Sequence, residues 1–459
     1  MRWGPRLAAI TSILGMSLPA ALPAQEVPRI EFEKFTLPNG LQVILHQDRS
    51  VPVVAVNVWY HVGSGDELPG RTGFAHLFEH IMFMGSQNVP AGMFDGWLEA
   101  AGANNNGSTT EDRTNYYIDA PSNALPLALW LDADRMGWLL PTMDQEKLDL
   151  QRGVVQNERR QGVDNVPYGR ARETLQAALF PPDHPYSWPV IGSMADLGAA
   201  TVEDVNHFFR TYYAPNNASL VIAGDFEADE VRRLVTEYFG PIPRGPAIER
   251  RTSVPPPQIA RDTFLVLEDR VQLPRLYYLY PSAKLFAPGD AELEMVAHVL
   301  AGGRSSRLYR RLVYELQVAQ DVAAFQSGRR LDGAFWFIVT PTPEHSPAEL
   351  ARLVDEEIQR IVREGVTEQE LQRARNTFAA SFLDRMEAVG GFRGKSDLLN
   401  FYNYFAGTPD FVQQDAARYQ EATAADLQRH ARELFARPRV VLTVVPEGKA
   451  DMMVTGGDS

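Results

Sequence analysis

Thr72-Gly-Phe-Ala-His-Leu-Phe-Glu-His-Ile-Met-Phe-Met-Gly85 carries His76, Glu79 and His80 as His-x-x-Glu-His. Each residue of an α-helix turns the chain by about 100°, so positions i, i+3 and i+4 share one face. Two imidazoles one turn apart can grip the same metal ion. The carboxylate between them can take a proton from a water held there. Phe74, Leu77, Phe78, Ile81 and Met82 suit a buried helix, where a charge is costly unless paired or metal-bound. Taken alone, the five residues read equally well as a metal site and as two histidines on a solvated face. A third ligand at a suitable distance shifts the balance, and the chain offers one.

Upstream of the motif, Ile30–Thr36, Leu41–His46 and Val53–Val62 read as strands, the first two joined by the turn Pro38-Asn39-Gly40. Downstream, residues 92–101 read as a helix. Residues 102–120 open as a polar, glycine-containing turn and close as a strand. A polar strand beside a metal helix can be a sheet edge with which an extended peptide pairs, or an ordinary surface hairpin. Residues 125–140 and 144–162 follow as helices. In the second of these, Val154 and Val155 are expected in the core. Glu158, four residues past Val154, then shares its inward side. An inward glutamate needs a partner, and a two-histidine site needs a third ligand. Thr201-Val-Glu-Asp204 is a capping box opening a further helix.

The chain has 459 residues, too many for a single hydrophobic core, so two domains of about 200 residues are expected. A net charge of −14 argues against nucleic acid and against an anionic membrane surface. There is no cysteine, which excludes disulfides and cysteine-bound metal. Residues 1–24, with Arg2 and Arg6 before an apolar run, read as a secretory signal peptide. The other reading, an uncleaved membrane anchor, meets Gly15 and Pro19 in a run short for a span. No other stretch reaches membrane length. These features give residues 25–245 as an N-terminal metal-binding domain, 246–260 as a proline-rich linker and 261–459 as a second domain. The second domain repeats the order of elements. Its helix 290–300, laid on the motif helix, puts Glu294 at His76, Ala297 at Glu79 and His298 at His80, so ligand set and base are incomplete there.

His76, Glu79 and His80, with Glu158 78 residues after the second histidine, resemble the inverted-zinc peptidases, the group of pitrilysin, insulinase and mitochondrial processing peptidase. Supporting segments are Asn106-Gly-Ser-Thr-Thr-Glu-Asp-Arg-Thr-Asn-Tyr-Tyr117, Val154-Val-Gln-Asn-Glu-Arg159 and Ser305-Ser-Arg-Leu308. The resemblance implies an α+β fold of two homologous domains, each a mixed, mostly antiparallel sheet packed with helices. It implies one Zn2+ per chain on His76, His80 and Glu158, with Glu79 as general base. Its substrates are peptides and small unfolded polypeptides, held as an added strand in a chamber near Asn106, Gly107, Ser108 and Thr109. Export to the periplasm or beyond is the expected destination.

Two departures stand out. Some relatives carry a second glutamate seven residues before the ligand glutamate; here it is Gln151, which can orient a ligand or water only by hydrogen bonding. Relatives with a complete site also supply an arginine and, seven residues later, a tyrosine from the non-zinc domain, to hold the substrate carbonyl. The aligned positions are Val313 and Gln320, with Arg310, Arg311 and Tyr314 nearby at the wrong spacing. This suggests the zinc-bearing subunit of a heterodimer whose homologous partner supplies the pair. A self-sufficient homodimer is the variant of that reading. A non-catalytic, processing-peptidase-like scaffold is the alternative from another class.

Overall fold

Pro38-Asn39-Gly40 closes the first hairpin, with Gly40 at φ 98°, where a side chain is disfavoured. The computed structural model describes residues 27–257 and 259–457; the signal segment 1–24 lies outside them. The hairpin pairs β1 (Glu33–Thr36) with β2 (Gln42–Gln47) in antiparallel register, Thr36 opposite Gln42. Adding β3 (Val53–Tyr60), β4 (Asn104–Thr109), β5 (Thr114–Pro121) and β6 (Ala218–Gly224) gives a six-stranded sheet ordered β1-β2-β6-β3-β5-β4. The second sheet holds β7 (Thr263–Asp269), β8 (Arg275–Ser282), β9 (Ala319–Gly328), β10 (Gly333–Pro341) and β11 (Val440–Pro446), ordered β7-β11-β8-β10-β9. In each sheet the last strand of its half slots between earlier ones. β6 is parallel to β2 and antiparallel to β3, as β11 is parallel to β7 and antiparallel to β8. The fold is therefore α+β with two homologous halves, as expected.

Strand alternation gives each sheet two apolar faces, and the halves cover them reciprocally. One face of the first sheet (Val43, Val56, Val58, Tyr116, Ile222) packs under helices of its own half, including Phe74–Ile81 and Leu125–Trp138. Its other face takes helix Lys395–Phe405 from the second half: Trp59 meets Phe401, Tyr404 and Phe405 edge-on. In return, Ala171, Leu175 and Leu179 of helix Ala171–Leu179 pack on Tyr277, Leu279, Trp336 and Leu442 of the second sheet. The chain around Lys395–Phe405 was read from sequence without this helix or its neighbour Val412–Glu421.

The exchanged helix is keyed by buried amides. Asn400 Nδ2 donates to the carbonyl and Oδ1 of Asn57 at 3.0 and 2.9 Å, and Ser219 Oγ donates to Asn400 Oδ1 at 2.6 Å. All three residues are fully buried. Asn400→Ala leaves these groups without a partner, and the expected loss is about 1–3 kcal/mol. Urea unfolding of the full chain measures it; an unchanged midpoint would show that the key carries no stability.

The second half keeps the plan but not the ligands. Glu294, on helix Asp290–Ala301, accepts a hydrogen bond from the Tyr419 hydroxyl at 2.6 Å, and burial pushes its carboxyl up to about 7. His298 lies edge-on to Phe378. Among the described residues, no helix is long and apolar enough to cross a membrane.

Candidate metal centre

The motif helix, Phe74–Ile81, is short, so its ends must be fixed from outside. Its N-cap is Gly73 at φ 88°, where an added Cβ would lie 2.7 Å from the Ile191 carbonyl. A glycine has no capping side chain, and Glu67 replaces one. Its buried carboxylate accepts from the N–H groups of Gly73 and Ala75 at 3.0 and 2.8 Å. One residue earlier, Asp196 takes the Thr72 N–H at 3.0 Å and its hydroxyl at 2.5 Å. Phe74, Leu77, Phe78 and Ile81 then anchor one face in the first core, which leaves His76, Glu79 and His80 on the other.

The third donor comes from helix Gln145–Arg159. Asp144 caps its start by accepting from Lys147 N at 2.9 Å, and Leu148 and Val155 bury its inner face. Arg159 pins its end to the Gly192 carbonyl at 2.9 Å and to Glu173. Glu158 Oε2 lies 3.2 Å from His80 Nε2 and 3.8 Å from His76 Nε2, and the imidazole rings stand at 79° to one another. Among the described residues these are the one group of three metal-type donors, with ligand atoms all within 4.8 Å. Two donors of a tetrahedral zinc bonded at about 2.0–2.1 Å are about 3.3 Å apart. The donor chemistry and the spacing of Glu158 to each histidine fit that ion. Burial and the neighbouring His80 lower the His76 imidazole to about 4, which keeps it neutral, the form that ligates. Its Nδ1 is buried without a hydrogen-bond partner, so helix packing rather than an acceptor sets the ring.

One expectation is corrected here. Val154 is 37% exposed; only Val155 enters the core. Glu158 does lie on the side of Val154, but that side is open to solvent, and the Glu158 side chain is 42% exposed.

Glu79 is 9% exposed. The Thr109 hydroxyl donates to its Oε2 at 2.5 Å, and burial raises the carboxyl to about 7 against the pull of Thr109 and Arg113. Strand β4 runs directly over it: a Cβ on Gly107 would come within 3.1 Å of Glu79 Cγ and Oε1. Residues 104–109, read as part of a polar turn, are thus the edge strand of the sheet. The hairpin closes with Thr110 N–H donating to the Arg113 carbonyl at 2.8 Å. By alternation, Asn104, Asn106 and Ser108 bond to β5, and Asn105, Gly107 and Thr109 turn their N–H and C=O to the free edge. The four predicted contact residues therefore divide. Gly107 and Thr109 face Glu79, while Ser108 hydrogen-bonds to Asn115 and Asn106 lies on the opposite face. The Asn106 amide oxygen accepts from Gly107 N–H at 2.8 Å. Gln151 is buried and directs its amide to the Met84 sulfur, 2.7 Å away, rather than to a ligand.

The second half places no arginine–tyrosine pair at the aligned positions. Residues 309–315 form a π-type turn. There Arg310 pairs with Glu315 at 2.7 Å, and Arg311 with Glu356 and, at 2.8 Å, Glu357. Tyr314 is 77% exposed. Glu67 and Arg113 escaped the sequence reading. Glu67 belongs to no short motif, and only the folded chain brings it to the helix end; Arg113 stands within the segment 106–117, but its partners show only in the fold.

An apolar helix with two histidines and a carboxylate, a glutamate from a second helix and an open sheet edge beside them define the inverted-motif metallopeptidase architecture. The comparisons agree. The profile described as "Insulinase (Peptidase family M16)" matches residues 42–184, and that described as "Peptidase M16 inactive domain" matches residues 199–378. The chain belongs to the M16 peptidase family. It is 29% identical over 436 residues to the zinc protease PqqE of Helicobacter pylori, covering 94% of this chain and 96% of that one. It is 27% identical over 423 residues to an uncharacterized zinc protease, SCO5738, of Streptomyces coelicolor, covering 89% and 88%. A crystal structure of a protease from Helicobacter pylori superposes with a TM-score of 0.82 at 26% identity, covering 91% of this chain and 100% of that one. The periplasmic protease PqqL of Escherichia coli shares the fold, with a TM-score of 0.76 at 21% identity over 95% of this chain and 50% of its own.

Proposed function

We propose that this chain is the zinc-bearing, catalytic subunit of an exported metalloendopeptidase, acting on peptides or small unfolded polypeptides. The observation that carries the reading is the convergence of His76, His80 and Glu158, with Glu79 buried alongside beneath an open sheet edge. The three donors would hold one Zn2+ and leave a coordination position open, as catalytic rather than structural sites do. Zinc, when bound, polarises the scissile carbonyl and acidifies water. Glu79 accepts the proton of the attacking water and passes it to the leaving amine; Thr109 holds its carboxylate in place. An extended peptide pairs with the outward N–H and C=O groups of Asn105, Gly107 and Thr109. Displacing the Asn106 amide from Gly107 N–H opens that donor.

The aligned positions Val313 and Gln320 offer no arginine–tyrosine pair to hold the developing oxyanion. Arg310 and Arg311 are committed to glutamates, so a homologous partner supplies the arginine–tyrosine pair. The test is a fluorogenic unfolded peptide offered to the purified zinc-loaded chain, alone and mixed with a homologous chain that lacks the zinc motif. Cleavage is expected only in the mixture, lost on chelation and restored by zinc. Full cleavage by the chain alone removes the heterodimer. A zinc-loaded mixture that never cleaves favours the scaffold, which the match of the second half to an "inactive domain" profile also invites.

A further inference from the structure

Strand β4 is poorly equipped to hold itself. Its sequence, Asn104-Asn-Asn-Gly-Ser-Thr109, is poor in strand formers and one edge is unpaired. Edge strands of this kind open at low free energy. Yet Thr109, which fixes Glu79, and Gly107, which covers it, both lie on it.

What restrains the strand is its turn. Residues 110–113 meet residues 329–332, the turn of the equivalent hairpin β9–β10 in the other half. Arg329 Nη1 contacts Glu111 Oε1 at 2.9 Å, with both side chains about nine-tenths buried. Arg330 N–H donates to Asp112 Oδ2 at 3.0 Å. Tyr186 bridges the two turns: its hydroxyl donates to Asp112 Oδ1 at 2.6 Å and accepts from Leu331 N–H at 3.0 Å. The Arg329 guanidinium lies 4.1 Å above the Tyr186 ring. A second tie runs through Arg113, which donates to the Ser108 carbonyl at 2.7 Å and to Asn115 Oδ1 at 3.1 Å. Asn115 in turn donates to Asp397 Oδ1 of the exchanged helix at 3.0 Å. Gly63–Gly65 of the first half also support the turn, through Ser64 and Gly65 N–H on the carbonyls of Thr110 and Glu111.

We infer that Arg329, in the half without the metal motif, is a positioning residue for Glu79, acting through Glu111 and the β4–β5 turn on the Thr109–Glu79 contact. The inference rests on Glu79 being the base. The arginine pins Glu111, two residues beyond Thr109, and so fixes how far β4 can lift from the motif helix. Truncating Arg329 leaves the buried Glu111 with only the longer, exposed Arg172 contact at 3.5 Å, and truncating Glu111 leaves the buried Arg329 without its carboxylate; either way the turn moves to wet the charge. Glu79 then loses its hydroxyl donor while the three metal donors, on two packed helices, stay where they are.

The test uses the mature full chain with its partner, as Arg329→Gln, Glu111→Gln and the double variant. Three readouts are taken: kcat and KM, zinc per chain, and amide hydrogen exchange resolved to segments. The expected result is a fall in kcat of at least tenfold, similar in all three variants because the two residues act as a unit. Zinc content stays unchanged and exchange rises within residues 104–116. Arg329→Lys, which keeps the charge but not the fork, recovers part of the loss. Unchanged exchange in 104–116, unchanged kcat, or exchange raised equally across the chain each overturns the inference. If Arg329→Gln does not fold, Arg329→Lys carries the same readouts. If the wild type cleaves nothing, the proposed function fails, and exchange in 104–116 still decides whether Arg329 holds the strand.

Discussion

Glu79→Gln is expected to keep zinc and lose hydrolysis, with kcat lower by about 10²–10⁴-fold. The amide has the volume of the carboxyl and can still accept from Thr109 Oγ1, so the strand above is undisturbed. What disappears is the buried carboxylate beside the donors that takes the proton. Retained hydrolysis at full zinc content removes Glu79 from the base role. The same variant has a signature in the metal-free chain. Burial raises the Glu79 carboxyl from 4.5 to about 7. A carboxyl raised in the folded state binds more protons folded than unfolded, so its contribution to stability is full below pH 4.5 and is lost as pH rises through about 7. The metal-free Glu79→Gln chain should lack that decline. Unfolding midpoints of both metal-free chains at pH 5 and pH 8 measure the difference; equal declines contradict the burial argument.

Glu158→Gln is expected to empty the site while leaving the fold intact. A neutral amide oxygen is a weak ligand beside two imidazoles, and zinc per chain should fall from about one to below about one tenth after dialysis. Because the Glu158 side chain is 42% exposed, the metal-free variant should unfold within about 0.5 kcal/mol of the metal-free wild type. Zinc at a hundredfold over its dissociation constant stabilises the wild type by about 2.7 kcal/mol and should do nothing for the variant. Thermal unfolding with and without zinc reads both. A variant that keeps stoichiometric zinc takes Glu158 out of the ligand set.

The two helices that meet at the site were legible because their spacing is local: His76, Glu79 and His80 declare a helical face by themselves. Glu158 was reachable only through resemblance and a periodicity argument whose anchor, Val154, is exposed rather than buried. A ligand helix beside an open site has two apolar-looking sides, and periodicity cannot tell a cleft from a core. Strand β4 was hidden by its composition. Asparagine and glycine read as turn, and the strand exists because Tyr116 and Ile118 of β5 are buried and carry it along. The helix Lys395–Phe405 is placed by polar keys, Asn400 on Asn57 and Asp397 on Trp59, whose partners lie more than 300 residues away in the chain. Glu67 illustrates the same limit: a capping carboxylate supplied from outside the helix leaves no pattern in the helix's own sequence.

The reciprocal exchange of helices has a consequence for how the protein is made. A ribosome that has synthesised the six strands of the first sheet has not yet made residues 389–405, so Trp59, Val221 and Ala223 lack the second-half side chains that cover them. That face is completed only when the second half arrives, so the two halves are expected to finish folding together.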